Sequence, residues 1–551
     1  MLTLSCKEYK MKKNINIVLV LVFLLSVSAA VFAGETEATG VKQAKVLAAP
    51  TDYGTGLAWD GVNLWLADRK DGVLLKINPA DGSVVSKLTA PGYKPSGLAW
   101  DGSQLWISDL ETLKIYRLDP KTNVVTRTID SPVSRPFALA WDGKYLWVLD
   151  AAGDKSTISN IDTYDGTTIK SFPAPGTGGT GMTFDGKYLW ISDRVRNEIH
   201  MVSPEYGNVI NVIQSPGAYT YGLAWDGKYL WNADYQTDKL YALDVYGSGD
   251  HFVFDGKAEK VVFSTVVNNR SEGMVKIFDM YLAVPQDTLA QKLLGEIEWS
   301  PKPEDYLTDK WGQKVAHFRF ENLAPGSTTE VEMTVKLKTY GLRYLMFPER
   351  IKGDIPKDIL DKYLVDDVKF DIKNPYIQDL VKKIIGSETN YYWKVRKLYD
   401  YIIANMYYEM TGGWNTAPTV LKRGSGSCSE YSFSMIALCR AAGIPARYVG
   451  TLVIRGDDAS WDDVYHRWNQ VYFPGYGWVD VDCNRGDKPL PAEQGLGFGG
   501  IGNSFLLTTT GGGGSEYLSF NYNYDYKYTA EGRVNVRVDQ VAEWEPIEET
   551  K

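Results

Sequence analysis

At 551 residues the chain is too long for one compact core, and about three domains are expected. It is 44% hydrophobic and 23% charged, as globular proteins are, and its 17 Trp and 36 Tyr favour a β-rich fold packed through aromatic rings. The net charge is −9, or −12 once residues 1–33 with their four Lys and one Glu are set aside, which disfavours nucleic acid as a partner.

Met11-Lys-Lys opens a basic start, an apolar run follows to Leu25, and Val31-Phe-Ala33 offers small residues where a signal peptidase reads. Residues 1–33 are therefore expected to be a secretory signal peptide cut after Ala33, with Met11 as an alternative start. No later segment approaches about 20 apolar residues, so an extracytoplasmic protein without a membrane span is expected. Cleavage leaves Cys428, Cys439 and Cys483, an odd number. Eleven residues of helix put Cys428 and Cys439 about 16 Å apart, too far to bond. A Cys439–Cys483 bridge stays open, and it would leave Cys428 as the free thiol.

A repeat comes next. Gly56-Leu-Ala-Trp-Asp-Gly-Val-Asn-Leu-Trp-Leu-Ala-Asp68 returns four times, its first aromatic falling at Trp59, Trp100, Trp141, Phe184 and Trp225, spaced 41, 41, 43 and 41 residues. Each copy reads as four short strands, and that period predicts a β-propeller. The fifth copy ends after its third strand near Leu243, while Val46-Leu-Ala-Ala-Pro50, at the end of a strand over 41–47, repeats a phrase that elsewhere closes a fourth strand. The N-terminal strand is thus expected to complete blade five over 41–248, leaving no open edge. The Trp-Asp-Gly motifs read as packing and turn chemistry rather than ligand sites. The repeats resemble the secreted propellers that include NHL-type and glutaminyl-cyclase-type rings, a resemblance of architecture that names no ligand.

Over 250–345 alternating strands predict a β-sandwich of about 90–100 residues, with a glycosylation sequon at Asn269. Helices begin after Pro356, with Asn374-Pro375 as a start signal and another helix over 391–405. Later strands are expected at 447–453, 465–472, 478–482, 504–509, 519–528 and 533–538. Phe520, Tyr522, Tyr524, Tyr526 and Tyr528 alternate strictly, which reads as a sheet packing face ahead of a sugar-binding one. The acidic loop 457–463 offers calcium ligands, but its spacing matches no EF-hand and a solvated loop is expected.

The chemistry gathers in 355–545. Gly424-Ser-Gly-Ser-Cys428 delivers a thiol to a helix that ends at Gly443, and a helix N-terminus favours thiolate. Of the four histidines, His200, His251, His317 and His466, only His466 lies close downstream. It sits on a strand followed by Pro-Gly-Tyr-Gly and a second strand ending in Asp482. A thiol needs a base, and the base needs an anion to fix its tautomer. If Tyr472 faces Trp478 across a five-residue loop, Asp482 falls diagonal to His466 on the same face. A one-residue slip would bring in Asp480 or Asn469 instead.

Gly426-Ser-Cys428, then Ala437-Leu-Cys-Arg-Ala-Ala-Gly-Ile-Pro-Ala-Arg-Tyr-Val449, His466-Arg-Trp and Gly477-Trp-Val-Asp-Val-Asp482 resemble the transglutaminase-like superfamily of papain-type folds. The resemblance implies Cys428 as nucleophile, His466 as general base and acid, and Asp482 as orienting carboxylate. The backbone N–H of Cys428, with Trp414 as a guess, would serve the oxyanion. Departures are Cys483-Asn484 after the aspartate and Arg467 beside the histidine. The expected protein is β-rich and multidomain: a five-bladed propeller, a β-sandwich and an α+β papain-like domain. It would be an exported cysteine enzyme acting on protein or peptide amide bonds through a thioester, without cofactor or metal. The propeller would bind substrate or a protein partner. The alternatives are a non-catalytic surface binding or assembly protein that uses the propeller, or a ring that is itself the enzyme.

Overall fold

The computed structural model describes residues 40–410, 414–454, 460–462 and 464–548. The leader over 1–33 and most of the acidic loop lie outside these residues. Among those described, no helix is long and apolar enough to cross a membrane.

The N-terminal region folds as five four-stranded antiparallel sheets that resemble propeller blades. The first runs Gly54–Trp59, Leu64–Asp68, Val73–Ile77 and Val84–Thr89. In every copy the motif aspartate does the local work. Asp60 accepts the Trp65 indole at 2.9 Å and the Asn63 N–H at 2.7 Å. Asp101, Asp142, Asp185 and Asp226 accept the indoles of Trp106, Trp147, Trp190 and Trp231 in the same way. The motif residues are therefore spent on holding each turn against its own buried Trp. The first strands of the five sheets neighbour one another in cyclic order, the last against the first. A Cβ on Gly56 would stand 2.1 Å from the Ser96 carbonyl oxygen, and one on Gly181 the same distance from that of Tyr221. That crowding explains the small residue opening every copy. The fifth sheet takes its outer strand from Gln43–Ala48, Val46 facing Tyr241, as the truncated fifth copy required.

The next region stacks two sheets. In one, His251–Asn269 pairs with Thr328–Tyr344; in the other, Met274–Ala283 pairs with Lys314–Leu323. Phe263, Phe278, Met280, Phe318 and Met333 are buried in the core of this region. The chain's last two strands belong here too, which corrects their expected place in a domain over 355–545. Val536–Pro546 pairs with His251–Asn269, and Tyr524–Glu531 pairs with Met274–Ala283. Their fully buried Trp544 and stacked Tyr526 supply apolar surface that the sandwich needs. Tyr524, Tyr526 and Tyr528 are thus a packing face, lying against one another and against Phe278. Asn269 is 1% exposed, and its amide donates to the carbonyls of Gly273, Leu323 and Ala324, so the sequon is consumed internally.

Between these strands lies an α+β region. Pro375–Ile385 starts on the Asn374 side chain, and Tyr391–Asn405 on that of Asn390. Cys428–Ala441 is buried along its length from Cys428 to Arg440, with helices on one side and a sheet on the other. That sheet orders Gly477–Val481, Tyr465–Phe473, Ala446–Val453 and Phe505–Gly511, all antiparallel. The region also holds the fourth blade-like sheet. Arg396 donates to the Val209 carbonyl at 2.6 Å, and the Asn211 side chain bonds both the N–H and the carbonyl of Met346.

Candidate active site

Cys428 is the first residue of its helix and only 5% exposed. Glu430 fixes this helix start. Its carboxylate accepts from the Ser427 N–H, from the backbone and amide of Asn415, and from Arg423, each at 3.0 Å. One buried carboxylate therefore ties together the preceding helix, the Trp414 segment and the cysteine loop. Gly424 enters that loop in the left-handed conformation, φ 76°, which any side chain would strain.

The hairpin pairs Tyr472 with Trp478, the expected register, and Phe473 with Gly477 closes it further to a three-residue loop. Asp482 then falls diagonal to His466. His466 Nε2 and Asp482 Oδ2 are 2.7 Å apart, and Asp482 Oδ1 accepts the Arg485 N–H at 3.0 Å. Asp480 turns instead to Trp468 and Gln470, and Asn469 to the Ser432 carbonyl, so neither residue of the slipped register meets His466. Asn469 points to the opposite face because side chains alternate along a strand, whereas Asp480 shares the His466 face but sits opposite Gln470, too far along the strand to reach it.

Electrostatics couple the three groups. Burial would raise the Cys428 thiol, yet a hydrogen bond and the charge of His466, with smaller help from Tyr522 and Arg467, hold it below the usual thiol range. Burial would discharge His466, but Asp482, then Cys428, push it up to about 10. Asp482 is buried as well, and His466 and the Arg485 N–H keep it below its ordinary value. The arrangement favours a thiolate facing an imidazolium. The other thiols are the reverse: burial drives Cys439 and Cys483 upward. Both are free, which answers the possibility of a bridge. His200 meets Glu198, His251 meets Asp250, and His317 meets Asp279, none near the thiol.

Two residues here escaped the sequence reading. Tyr522 places its hydroxyl 3.4 Å from Cys428 Sγ and 2.6 Å from Ser429 Oγ. Its strict alternation with Tyr524 disguised it as a strand residue, whereas it lies in the segment ahead of Tyr524–Glu531. Arg467, fully buried, lies over the Tyr522, Tyr448, Trp414 and Phe433 rings at 4.3–5.3 Å and donates to the Phe520 carbonyl. Trp414 itself stands edge-on to Tyr522. Among the described residues no group of three or more His, Cys, Asp or Glu is placed to hold a metal.

Residues 378–483 match the model of the transglutaminase-like superfamily. The chain carries a transglutaminase-like domain. Two curated bacterial relatives match part of this chain. The uncharacterized protein YebA of Bacillus subtilis is 31% identical over 130 residues, 20% of this chain and 17% of its own length. An uncharacterized protein of Haemophilus influenzae is 28% identical over 225 residues, 34% of this chain and 58% of its own. Among solved structures, a candidate cysteine protease from Cytophaga hutchinsonii aligns with 54% of this chain and all of its own (17% identity, TM-score 0.38). Myxococcus xanthus glutaminyl cyclase aligns with 37% of this chain and 95% of its own (13% identity, TM-score 0.33).

Proposed function

We propose that this protein is an exported cysteine enzyme acting on amide bonds in proteins or peptides, with Cys428, His466 and Asp482 as its catalytic triad. The observation that carries this reading is the 2.7 Å contact between His466 Nε2 and Asp482, beside a helix-terminal thiol whose ionised form His466 favours. With Nε2 committed to Asp482, Nδ1 is left to face Cys428. The thiolate adds to the amide carbonyl carbon, and the oxyanion takes the Cys428 N–H at the helix start. His466 gives its proton to the departing nitrogen, the C–N bond breaks and a thioester forms. Neutral His466 then removes a proton from water or from a second amine, which displaces the sulfur. Water gives hydrolysis, and an amine gives acyl transfer.

The five N-terminal sheets would form a five-bladed propeller that presents substrate or binds a protein partner through its loops, since its motif residues are committed to packing. Export rests on the basic, apolar and small-residue pattern over 11–33. Incubation with casein and a labelled primary amine tests the reaction: incorporation identifies a transferase and cleavage a hydrolase. An electrophilic thiol probe should label wild type and not Cys428→Ala. Wild type that stays unlabelled under reducing conditions would overturn the proposal.

A further inference from the structure

Between the sandwich and the His466 hairpin lies a cavity of about 360 Å³ that the proposed reaction leaves unused. Three polar side chains meet at its wall. Arg447 lies over the Trp478 ring at 4.2 Å and gives Nε and Nη2 to Gln470 Oε1 at 2.9 and 2.7 Å. On its other side Gln470 Nε2 donates to Asp480 Oδ1 at 3.0 Å, an oxygen that also accepts the Trp468 indole at 2.7 Å. Asp480 is 2% exposed. Each charge keeps one unused edge: Arg447 Nη1 and Asp480 Oδ2 make no hydrogen bond among the described residues. Leu342, Ile501 and Leu507 add an aliphatic part to the lining, which also carries Asp287 and Tyr344.

This is an unusual way to build a structural ion pair. A guanidinium and a carboxylate that merely stabilise the fold gain most by meeting in parallel, two bonds to two oxygens. Here the Gln470 amide holds them one amide apart on the same cavity wall, with a donor edge on Arg447 and an acceptor edge on Asp480 that Gln470 does not use. A carboxylate taken out of bulk water pays a desolvation cost. Burial accordingly pushes the Asp480 carboxyl up to about 6, against the indole and amide that hold its anion. A ligand bearing an ammonium and a carboxylate on one carbon would satisfy both free edges together. An apolar side chain on that carbon would reach the aliphatic wall, in a volume typical of small-molecule sites.

We propose that this cavity binds a free α-amino acid with an apolar side chain. Its ammonium meets Asp480, its carboxylate meets Arg447, and its side chain packs on Leu342, Ile501 and Leu507. The site does not use Cys428, so it stands independently of the proposed reaction.

Isothermal titration of the full secreted chain with L-phenylalanine and L-leucine tests it. Saturable binding of at least one is expected. Phenethylamine, which lacks the carboxylate, and 3-phenylpropionate, which lacks the ammonium, should each bind at least tenfold more weakly than L-phenylalanine or show no heat. Asp480→Asn and Arg447→Met should each weaken the amino acid at least tenfold. Leu289→Trp, at a half-exposed position on the cavity rim, should block entry without touching the core. Should Asp480→Asn fail to fold, Leu289→Trp carries the test alone. Cys428→Ala should bind as wild type does, which separates this site from the amide chemistry. Absence of saturable binding by both amino acids overturns the proposal. So does binding that survives Leu289→Trp unchanged, or an analogue with one charge that binds as well as its parent.

Discussion

Cys428 and His466 hold each other in their charged forms, and this sets a pH profile with two separate origins. An ordinary thiol loses reactivity below about pH 8.5. Cys428 lies below that range, so iodoacetamide should alkylate it at pH 6–7 at least about tenfold faster than a free thiol. Of Cys428, Cys439 and Cys483, native protein should label only Cys428, and all three should react in urea, because burial keeps Cys439 and Cys483 protonated in the fold. The upper limit belongs to His466. As pH rises through about 10 the imidazolium loses its proton and the leaving nitrogen loses its acid, so kcat/KM should fall there. Asp482→Asn removes the charge that lifts His466, so that limb should move to lower pH, and kcat should drop about 10²–10⁴-fold. A pH–rate profile of the variant that overlays the wild type would exclude Asp482 from this role.

Hairpin and helix each test the site at the scale of one element. Inserting a residue after Gly475 shifts the strand by one and turns the Asp482 side chain away from His466. Turnover should disappear, and the unfolding temperature should fall with it, because the buried Val479 and Val481 leave the core in the same slip. Glu430→Gln weakens four charge-assisted bonds at the start of the cysteine helix, and urea unfolding should show a loss of about 1–3 kcal/mol with slower Cys428 alkylation. This scale also divides what sequence reveals from what it conceals. The 41-residue period exposed the blade-like sheets because every copy repeats the same turn chemistry, Asp onto Trp. The His466–Asp482 contact was legible because strand alternation and loop length are local rules. Tyr522 was hidden because a strand and a loop with alternating aromatics look alike in one dimension. Strands Tyr524–Glu531 and Val536–Pro546 were misplaced for a different reason: their partners lie some 250 residues earlier, and no local pattern records such pairing.

At the scale of the molecule, two edges are closed by distant chain. Deleting Gln43–Ala48 would leave Lys239–Leu243 paired on one side only, an open strand edge that recruits other molecules. Size-exclusion chromatography should then show oligomers where the intact chain elutes as one species. The sandwich is closed by the final strands, so the transglutaminase-like domain is inserted between two parts of one sheet pair. A fragment starting near residue 355 would carry Trp544 with nothing to cover it, and separate expression of the halves should give insoluble protein.

That insertion also fixes an order of events during synthesis. The slot beside His251–Asn269 stays empty until residue 546 has emerged, and Tyr522 cannot settle on Cys428 until the strand behind it has a partner. A chain emerging from its N-terminus can complete the blade-like sheets early, but its thiol site must wait for residues 524–546. Timing of this kind would keep Cys428 without its Tyr522 neighbour until both sheets of the sandwich are complete.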